Sequence, residues 1–247
     1  MAQGVALITG ASRGVGAEVA RRLARRGGVG TVVINHRDER KSWMARAVAA
    51  EVEAAGCRAD VLRADLTEPD ETKAMVSALG SEHGRVDRLV LNASGGLEHG
   101  VDDDYPMLIN FRAQVRLVDM LLPLMPRGGR IAFVTSHWAH LERYESPVYA
   151  RVARSKRAGE TALRERAPEL AERGVTLSVV SGDVIADSII AHMLDRLNPG
   201  WIRARLDRVG ALPDTRAFAE SIAEATDPVR SAAPGEVHTV YVGSTDM

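Results

Sequence analysis

The stretch "VALITGASRGVG", residues 5–16, decides the fold. A short run of aliphatic residues leads into a bend that carries Gly10, Gly14 and Gly16, and the helical pattern "AEVARRLARRG" follows directly. Glycines permit a tight turn and a close approach of the backbone to a ligand. A helix that starts at such a bend presents free N–H groups and the positive end of its dipole to a phosphate. The stretch therefore predicts a strand, a phosphate-binding loop and a helix, arranged to bind a dinucleotide.

The same alternation continues along the chain. Short apolar runs predict seven strands, at residues 5–9, 31–35, 59–64, 88–92, 130–135, 175–181 and 237–243. Apolar residues at helical spacing predict the intervening helices, at residues 14–27, 38–55, 68–83, 104–125, 147–172 and 214–226. Each crossover is about the length that a βαβ unit requires. The pattern predicts one α/β domain, residues 1–247, with a doubly wound Rossmann fold: a seven-stranded, mainly parallel sheet with helices on both faces.

Residues 183–213 interrupt this alternation. Short helical pieces surround "NPGW" just before the last helix, and no linker or internal repeat marks a second domain. An insertion of this kind is a candidate lid over a binding site. We expect its apolar residues, Met193, Leu194 and Trp201, to lie in the lid or in the core beneath it.

The composition favours a small molecule as the partner. The 32 basic and 33 acidic residues leave a net charge of −1, which gives no general attraction to nucleic acid or to an anionic membrane. No segment approaches the roughly 20 apolar residues that a membrane-spanning helix needs, and the first residues do not resemble a secretory leader. The single cysteine, Cys57, cannot form an intrachain disulfide. We expect a cytoplasmic protein that binds neither membrane nor nucleic acid.

The glycine spacing, Gly-x-x-x-Gly-x-Gly after a Thr, resembles that of the short-chain dehydrogenase/reductase superfamily. "RADLTEP" is similar to the family's segment beside the adenine, "LNASGG" to the segment that ends the fourth strand, and "SGDVIAD" to the segment that meets the nicotinamide. In the last of these Ser181 replaces the usual Pro. The resemblance implies an NAD(P)-dependent oxidoreductase acting on carbonyl or hydroxyl groups. It assigns the cofactor to Gly10, Ser12, Arg13, Gly14, Val15, Gly16, Asp65, Leu66, Asn92, Ala93, Ser94, Lys156, Gly182 and Val184.

Two arginines favour NADPH over NADH. The second strand ends in "INHRDER", where an NAD-specific site usually places a carboxylate on the ribose 2′-hydroxyl. Asn35 or His36 takes that place, Arg37 follows, and Arg13 lies in the glycine loop. Two guanidinium groups can converge on a 2′-phosphate. We predict that Arg37 and Arg13 bind NADPH or NADP⁺. The alternative is that both are ordinary surface arginines and that Asp38 binds the ribose of NAD.

The catalytic segment departs from the family pattern. The resemblance implies a Ser at the end of the fifth strand, here Ser136, and a Tyr and a Lys four residues apart on the next helix. In "SPVYARVARSK", Tyr149 and Lys156 are seven residues apart, so the Tyr-x-x-x-Lys motif is not intact. A match on Ser136 places Tyr149 at the catalytic Tyr and Ala153 at the Lys. A match on "SKRAGE" places Lys156 at the Lys and Val152 at the Tyr.

We favour the second register, because the helix must pack on the sheet in a fixed phase whereas the preceding loop can change length. Tyr149 then shares a face with Lys156 but lies about 4.5 Å nearer the helix start than the family's Tyr. Three alternatives stay open: protonation by Ser136, solvent or the substrate itself, protonation by the shifted Tyr149, or no turnover. In all three Lys156 holds the ribose, and the resemblance implies that Asn110 supports Lys156 through water.

The segment "SHWAH" adjoins Ser136. His137 is a second candidate for the proton donor or a substrate contact, with a loop histidine of no catalytic duty as the alternative. His137 and His140 alone, without further ligands at suitable spacing, do not make a zinc site, so we expect no metal. Trp138 is expected to form an aromatic wall that suits a flat, ring-bearing substrate.

These observations predict an atypical NADPH-dependent ketoreductase that transfers hydride to a carbonyl of a hydrophobic substrate, for which a polycyclic or polyketide-like ketone is the favoured class. The alternative is a catalytically silent NADP(H)-binding sensor or interaction module. The resemblance also implies pairing through the fourth and fifth helices, so a homo-oligomer, a dimer or tetramer, is expected. The arginines of the fifth helix argue against that particular interface.

Overall fold

The computed structural model describes residues 4–98, 100–141, 147–227 and 235–246. Seven strands lie among these residues: β1 (Val5–Ile8), β2 (Thr31–His36), β3 (Arg58–Arg63), β4 (Arg88–Leu91), β5 (Arg130–Ser136), β6 (Thr176–Gly182) and β7 (His238–Val242). They form one sheet in the order β3-β2-β1-β4-β5-β6-β7, and every neighbouring pair is parallel. The predicted α/β Rossmann fold is confirmed, and each strand ends within one residue of its predicted bound.

The helices follow the predicted crossovers with local differences. They are α1 (Gly14–Arg26), α2 (Ser42–Ala54), α3 (Pro69–His83), α4 (Tyr105–Met107), α5 (Ala113–Leu121), α6 (Pro147–Glu165), α7 (Ala167–Glu172), α8 (Ile189–Leu197), α9 (Trp201–Val209) and α10 (Thr215–Ala225). A π-helical turn, Leu108–Arg112, joins α4 to α5. The predicted helix at 38–55 begins as the 3₁₀ turn Glu39–Lys41, because the Asp38 carboxylate accepts from the Arg40 N–H and caps that turn.

Both faces of the sheet are covered, as the apolar strands require. Along β1 the side chains of Ala6 and Ile8 belong to the apolar core beneath α1, α2 and α10, whereas Val5 and Leu7 belong to the core beneath α3 and α5. All four residues are buried, so the strand reads as a continuous apolar run rather than an alternating one. This burial is the physical reason that the strands were recognisable from short aliphatic runs.

A third apolar cluster lies at the carboxyl ends of β5 and β6. We call it the aromatic cluster; its buried members are Trp138, Tyr149, Val152, Ala153 and Leu194. Leu194 belongs to α8, so the cluster joins the 183–213 segment to the start of α6. Among the described residues, each helix is too short or too polar to traverse a lipid bilayer.

Candidate active site

A cavity of about 730 Å³ follows the carboxyl edge of the sheet and continues along α8. The strand order reverses beside β1, which pairs with β2 and β4, and open α/β sheets bind ligands in the crevice at such a point. Most residues that the sequence assigned to the site line this cavity: Gly10, Ser12, Arg13, Gly14, Val15, Arg37, Asp65, Leu66, Asn92, Ala93, Ser94, Ser136, Tyr149, Lys156, Gly182 and Val184.

The glycine loop leaves bare backbone facing the cavity. Gly14 has φ 57°, and a Cβ placed on it would meet no atom within 4 Å, so the first turn of α1 is open to the cavity. No side chain caps this helix start, which leaves its N–H groups available to an anion. A pyrophosphate therefore fits the loop.

Gly16 has a packing role, and its assignment as a cofactor contact stays a prediction. It does not line the cavity, and a Cβ on it would lie 2.6 Å from both the Asn92 side-chain nitrogen and the Gly10 carbonyl oxygen. The Asn92 amide donates to the carbonyl of Thr9 at 3.0 Å and ties β4 to the loop. The third glycine is required because β4 and the loop leave no room for a side chain there.

Three cations lie near the end of β2. Arg37 donates to the hydroxyl of Tyr105 and lies 3.8 Å from the carboxylate of Glu98, on the opposite wall of the cavity. Arg13 is exposed at the cavity in the glycine loop, and Lys41 also lines the wall. Sequence reasoning missed Lys41, although its place four residues after Arg37 in "RDERK" was a signal for it.

Asp38 is already engaged at this end of the cavity. Its carboxylate accepts from the backbone and side chain of Arg40, at 3.0 and 3.2 Å. The side-chain hydrogen bond with Arg40 lowers the pKa of Asp38 below its usual value. A carboxylate bound in this way is poorly available to a ribose 2′-hydroxyl, whereas Arg37, Arg13 and Lys41 together suit a phosphate.

The opposite end of the cavity brings Ser136 and Tyr149 together. Ser136 is the last residue of β5, and Tyr149 lies in the first turn of α6. Burial raises the pKa of Tyr149 above its usual value, and the interaction of its phenol with the Ser136 hydroxyl offsets only part of this rise. The shifted Tyr149 thus reaches Ser136 from the first turn of α6.

Lys156 has a separate environment on the same helix. It is 8% exposed, and its Nζ donates to the Val134 carbonyl of β5 at 3.3 Å. Burial lowers the pKa of Lys156 to about 8, and burial with the Ser136 contact accounts for the pKa of Tyr149. Burial is thus the main cause of both pKa shifts, which differs from the intact motif, where the Lys lowers the pKa of the Tyr.

Val152 occupies the position that the "SKRAGE" register gives to the family's Tyr. It is buried in the aromatic cluster and lines the cavity, so its place is filled by an apolar wall. The residues between Leu141 and Pro147, where the loop was expected to absorb the change of register, lie outside the described residues.

Asn110 is buried behind the cavity wall, and its expected support of Lys156 through water stays a prediction. Its amide donates to the Gly95 carbonyl and to the Ser155 hydroxyl, both at 2.9 Å. Its carbonyl, in the π-helical turn, faces Gly159, where a Cβ would approach it to 2.4 Å. Asn110 therefore ties the wall at Gly95 to α6 and acts on the cavity through its neighbours.

The two histidines after Ser136, His137 and His140, lie in different environments. His137 is absent from the cavity wall; its Nδ1 lies 2.9 Å from the Ser181 hydroxyl, and burial lowers its pKa. The buried position of His137, beside Ser181, does not favour a direct proton donation. His140 instead pairs with the buried Glu160 at 3.3 Å. Among the described residues no cluster of His, Cys, Asp and Glu could hold a metal ion.

Trp138 forms part of the cavity wall, as expected. Its ring meets that of Tyr149 edge to face at 4.9 Å between centroids, and meets that of Trp201 in the same way at 5.3 Å. Edge-to-face pairs at these separations are attractive and hold the rings in defined orientations. The three rings are in continuous contact from α6 to α9: Trp138 and Tyr149 form the aromatic wall of the cavity, and Trp201 packs behind it.

The buried ammonium of Lys156 predicts a measurable dependence of stability on pH. The pKa of Lys156 falls from 10.5 to about 8 on folding, so between these values the unfolded chain binds more protons. The free energy of unfolding therefore rises with pH through this window because of this residue. Lys156→Met lacks this titrating group, so its free energy of unfolding relative to that of the wild type should be higher at pH 7 than at pH 11. Because one pKa unit corresponds to about 1.4 kcal/mol, we expect this difference between the two proteins to fall by about 3 kcal/mol between about pH 7 and pH 11.

Denaturant unfolding of both proteins without cofactor measures this difference. Because other groups titrate equally in the two proteins, the difference isolates Lys156. A difference that stays constant over the window would contradict a lowered pKa at this site.

Comparison with known proteins agrees with this site. The chain matches the family model of short chain dehydrogenases over residues 4–194. It is 32% identical to 1-cyclohexenylcarbonyl-CoA reductase of Streptomyces collinus over 84% of this chain and 79% of the relative. It is 30% identical to a hydroxynaphthalene reductase-like protein of Metarhizium majus, over 83% of this chain and 78% of the relative.

The fold is also that of a solved structure, a blue fluorescent protein from a metagenomic library in complex with NADPH. The two chains are 30% identical with a TM-score of 0.79, and the match covers 99% of this chain and 98% of the other. The family match covers well over half of the chain, and it coincides with the glycine loop and with Ser136 and Lys156 on the cavity wall. The chain belongs to the short-chain dehydrogenase/reductase family and is an NAD(P)-dependent oxidoreductase that acts on carbonyl or hydroxyl groups.

Proposed function

We propose that this enzyme reduces the carbonyl group of a hydrophobic, ring-bearing ketone with NADPH. The observation that carries the proposal is the phenol of Tyr149 beside the hydroxyl of Ser136, at the apolar end of a cavity whose other end holds Arg37, Arg13 and Lys41. Two hydroxyls that converge at one point can bind a carbonyl oxygen and donate a proton to it.

The cofactor fits the residues present. The bare backbone at Gly14 suits the pyrophosphate, and Arg37 and Arg13 suit a 2′-phosphate. Lys156 lines the cavity and would hold the nicotinamide ribose. When bound, NADPH supplies the hydride. The neighbour that was solved with NADPH supports the phosphorylated form of the cofactor.

The pKa of Tyr149 supports reduction over oxidation. Burial raises this pKa, so the phenol stays protonated at neutral pH and is a proton donor. Oxidation of an alcohol would need the phenolate as a base, and a raised pKa disfavours the phenolate. Ser136 would hold the carbonyl oxygen while Tyr149 protonates it.

The substrate end of the cavity is apolar. The rings of Trp138 and Tyr149 and the side chains of Val152, Met193 and Leu194 form its wall. A wall of this kind favours flat rings over charged chains. The two curated relatives are named for a cyclohexenyl thioester and a hydroxynaphthalene, which supports a cyclic substrate.

The rival function is a catalytically silent NADP(H)-binding module. Its supporting observation is the independence of Tyr149 and Lys156, whose pKa shifts share no electrostatic interaction. Such a module would bind NADPH without oxidising it in the presence of any ketone.

We further propose that the chain acts as one domain, with residues 183–213 as a lid, and that it works in the cytoplasm as a homo-oligomer. The family resemblance supports pairing of subunits. The exposed groove beside α6 contains Arg154, Arg157 and Glu165, so it does not favour this helix as the interface.

Oxidation of NADPH and of NADH, followed with a panel of cyclic and aliphatic ketones, tests the proposed function. We expect turnover of cyclic ketones with NADPH. A charge-assisted hydrogen bond contributes about 1.5–3 kcal/mol, so Arg37→Met should weaken NADPH binding by about 10- to 100-fold and leave NADH binding unchanged.

Arg46→Met is the matched control. Arg46 lies on α2, is exposed and lies outside the cavity wall, so its replacement should leave the preference for NADPH intact. An equal preference for both cofactors in the wild type would remove the case for NADPH. Binding of NADPH without turnover of any ketone would favour the silent module.

A further inference from the structure

A buried ion pair lies between the nicotinamide end of the cavity and the second helix of the 183–213 segment. Arg205 of α9 and Asp183, directly after β6, are 2% and 0% exposed in their side chains. The Arg205 guanidinium donates to both carboxylate oxygens of Asp183, at 2.9 and 3.3 Å. The pairing is therefore bidentate, which fixes the orientation of both groups as well as their distance.

The same guanidinium reaches a third segment of the chain. It donates to the carbonyl of Asp246 at 2.6 Å, in the carboxyl-terminal tail. Asp183 in turn accepts from the N–H of Val184 at 2.7 Å, and its own N–H donates to the Val242 carbonyl of β7 at 2.9 Å. One ion pair thus joins α9, the cavity wall and the last strand.

Both partners lie close to the functional groups. Asp183 and Val184 are cavity-wall residues next to Gly182, where the nicotinamide is expected. Trp201 is the first residue of α9, one helical turn before Arg205. Its ring makes an edge-to-face contact with Trp138, which makes another with Tyr149. A displacement of α9 would therefore move the aromatic wall.

We propose that Arg205 is a positioning residue that, through Asp183, holds α9 against residues 182–184, beside the expected nicotinamide. This clamp keeps Trp201 against Trp138, and the aromatic wall then orients the ketone against Ser136 and Tyr149. The inference rests on the proposed reduction for its kinetic consequence. Its structural consequence, a fixed α9 with Trp201 against Trp138, is independent of that function.

Stability alone is a weak explanation of this pair. The cost of removing two charges from water approaches or exceeds their attraction, so an apolar pair of similar volume is often equally stable. Removal of one partner, by contrast, leaves an uncompensated buried charge. The double variant Asp183→Asn/Arg205→Met removes both charges, and its Asn side-chain oxygen can still accept from Val184.

The experiment compares this double variant with Arg205→Lys and with Arg203→Met. Arg203 lies on the same helix, is 76% exposed and pairs with Asp207, so Arg203→Met is a control for loss of a charge from α9. The measurements are thermal unfolding, near-ultraviolet circular dichroism of the tryptophans, tryptic cleavage after Arg196 and Arg208, NADPH affinity, and kcat and KM with a cyclic ketone.

We expect the double variant to unfold near the wild-type temperature but to lose the circular dichroism of the Trp138–Trp201 contact. Its α8 and α9 should be cleaved faster by trypsin, because the segment opens locally. Its kcat/KM should fall by about 10²-fold from misplacement of the ketone, with NADPH affinity within about threefold of the wild type. Arg203→Met should match the wild type in every measurement.

Wild-type dichroism, cleavage and kinetics in the double variant would overturn the clamp. If the double variant does not fold, Arg205→Lys decides: it keeps the charge but not the bidentate geometry, and wild-type values for it would overturn the proposal. If the wild type oxidises no NADPH, the proposed function fails. The circular dichroism and the rate of tryptic cleavage of the variants would still test whether Arg205 holds α9 in place.

Discussion

Replacement of Tyr149 by Phe should lower kcat for ketone reduction by about 10²- to 10⁴-fold, the usual contribution of a general acid. The phenol is the cavity group whose raised pKa keeps a proton available beside Ser136. The ring itself should remain in the aromatic cluster, since Phe retains the edge-to-face contact with Trp138. NADPH affinity and KM should therefore change little, and steady-state and single-turnover NADPH oxidation measure the effect on the chemical step.

Tyr241→Phe is the matched control, because Tyr241 lies on β7, is 56% exposed and lies outside the cavity wall. It should retain wild-type kcat. A loss below about threefold in Tyr149→Phe would dismiss Tyr149 as the acid and leave Ser136, solvent or the substrate as the proton source.

Gly16→Ala should weaken NADPH binding by about 10- to 100-fold and also destabilise the fold. A Cβ at this position would lie 2.6 Å from the Gly10 carbonyl and 3.0 Å from the Ala11 Cα, both backbone atoms that cannot rotate away. Overpacking of this kind costs about 1–3 kcal/mol. Part of this strain can be relieved by a shift of the loop that is expected to bind the pyrophosphate, and restoring the loop on binding then lowers the affinity. Calorimetric titration and denaturant unfolding measure the two effects.

Gly80→Ala is the corresponding control. Gly80 lies within α3, where a Cβ would meet only the Leu124 side chain at 3.6 Å, an ordinary contact. Ala is more favourable than Gly inside a helix by about 0.5–1 kcal/mol, so this variant should be slightly more stable and bind NADPH normally. Wild-type affinity in Gly16→Ala would show that the loop can accept the side chain and that its packing does not set the affinity.

The sheet and the glycine loop were predictable because they depend on local patterns. Parallel strands that are buried on both faces are apolar along their whole length. The glycines after β1 predict the turn that leads into α1. The helix bounds were less predictable, since Asp38 caps a 3₁₀ turn before α2 and a π-helical turn at Asn110 accommodates the close approach of Gly159. Both features depend on contacts that a helical periodicity does not encode.

The cofactor half of the cavity was easier to predict than the catalytic half. Its residues follow strand ends directly, so their numbers in the chain determine their place on the sheet edge, although Lys41 was missed and Gly16 proved to be a packing residue. The catalytic half depends on the phase of α6 and on side-chain directions. His137 adjoins Ser136 in the sequence yet points to Ser181, away from the cavity.

The sequence by itself determined the class of fold, the positions of its strands and the loop at which a dinucleotide is expected, because periodicity and glycine spacing act over short distances. Only the tertiary structure decided the order of the strands, the contact of Tyr149 with Ser136, and the pairing of Arg205 with Asp183. These contacts join segments that are distant in the chain, and burial, which sets their pKa values and their strength, exists only once the chain has folded.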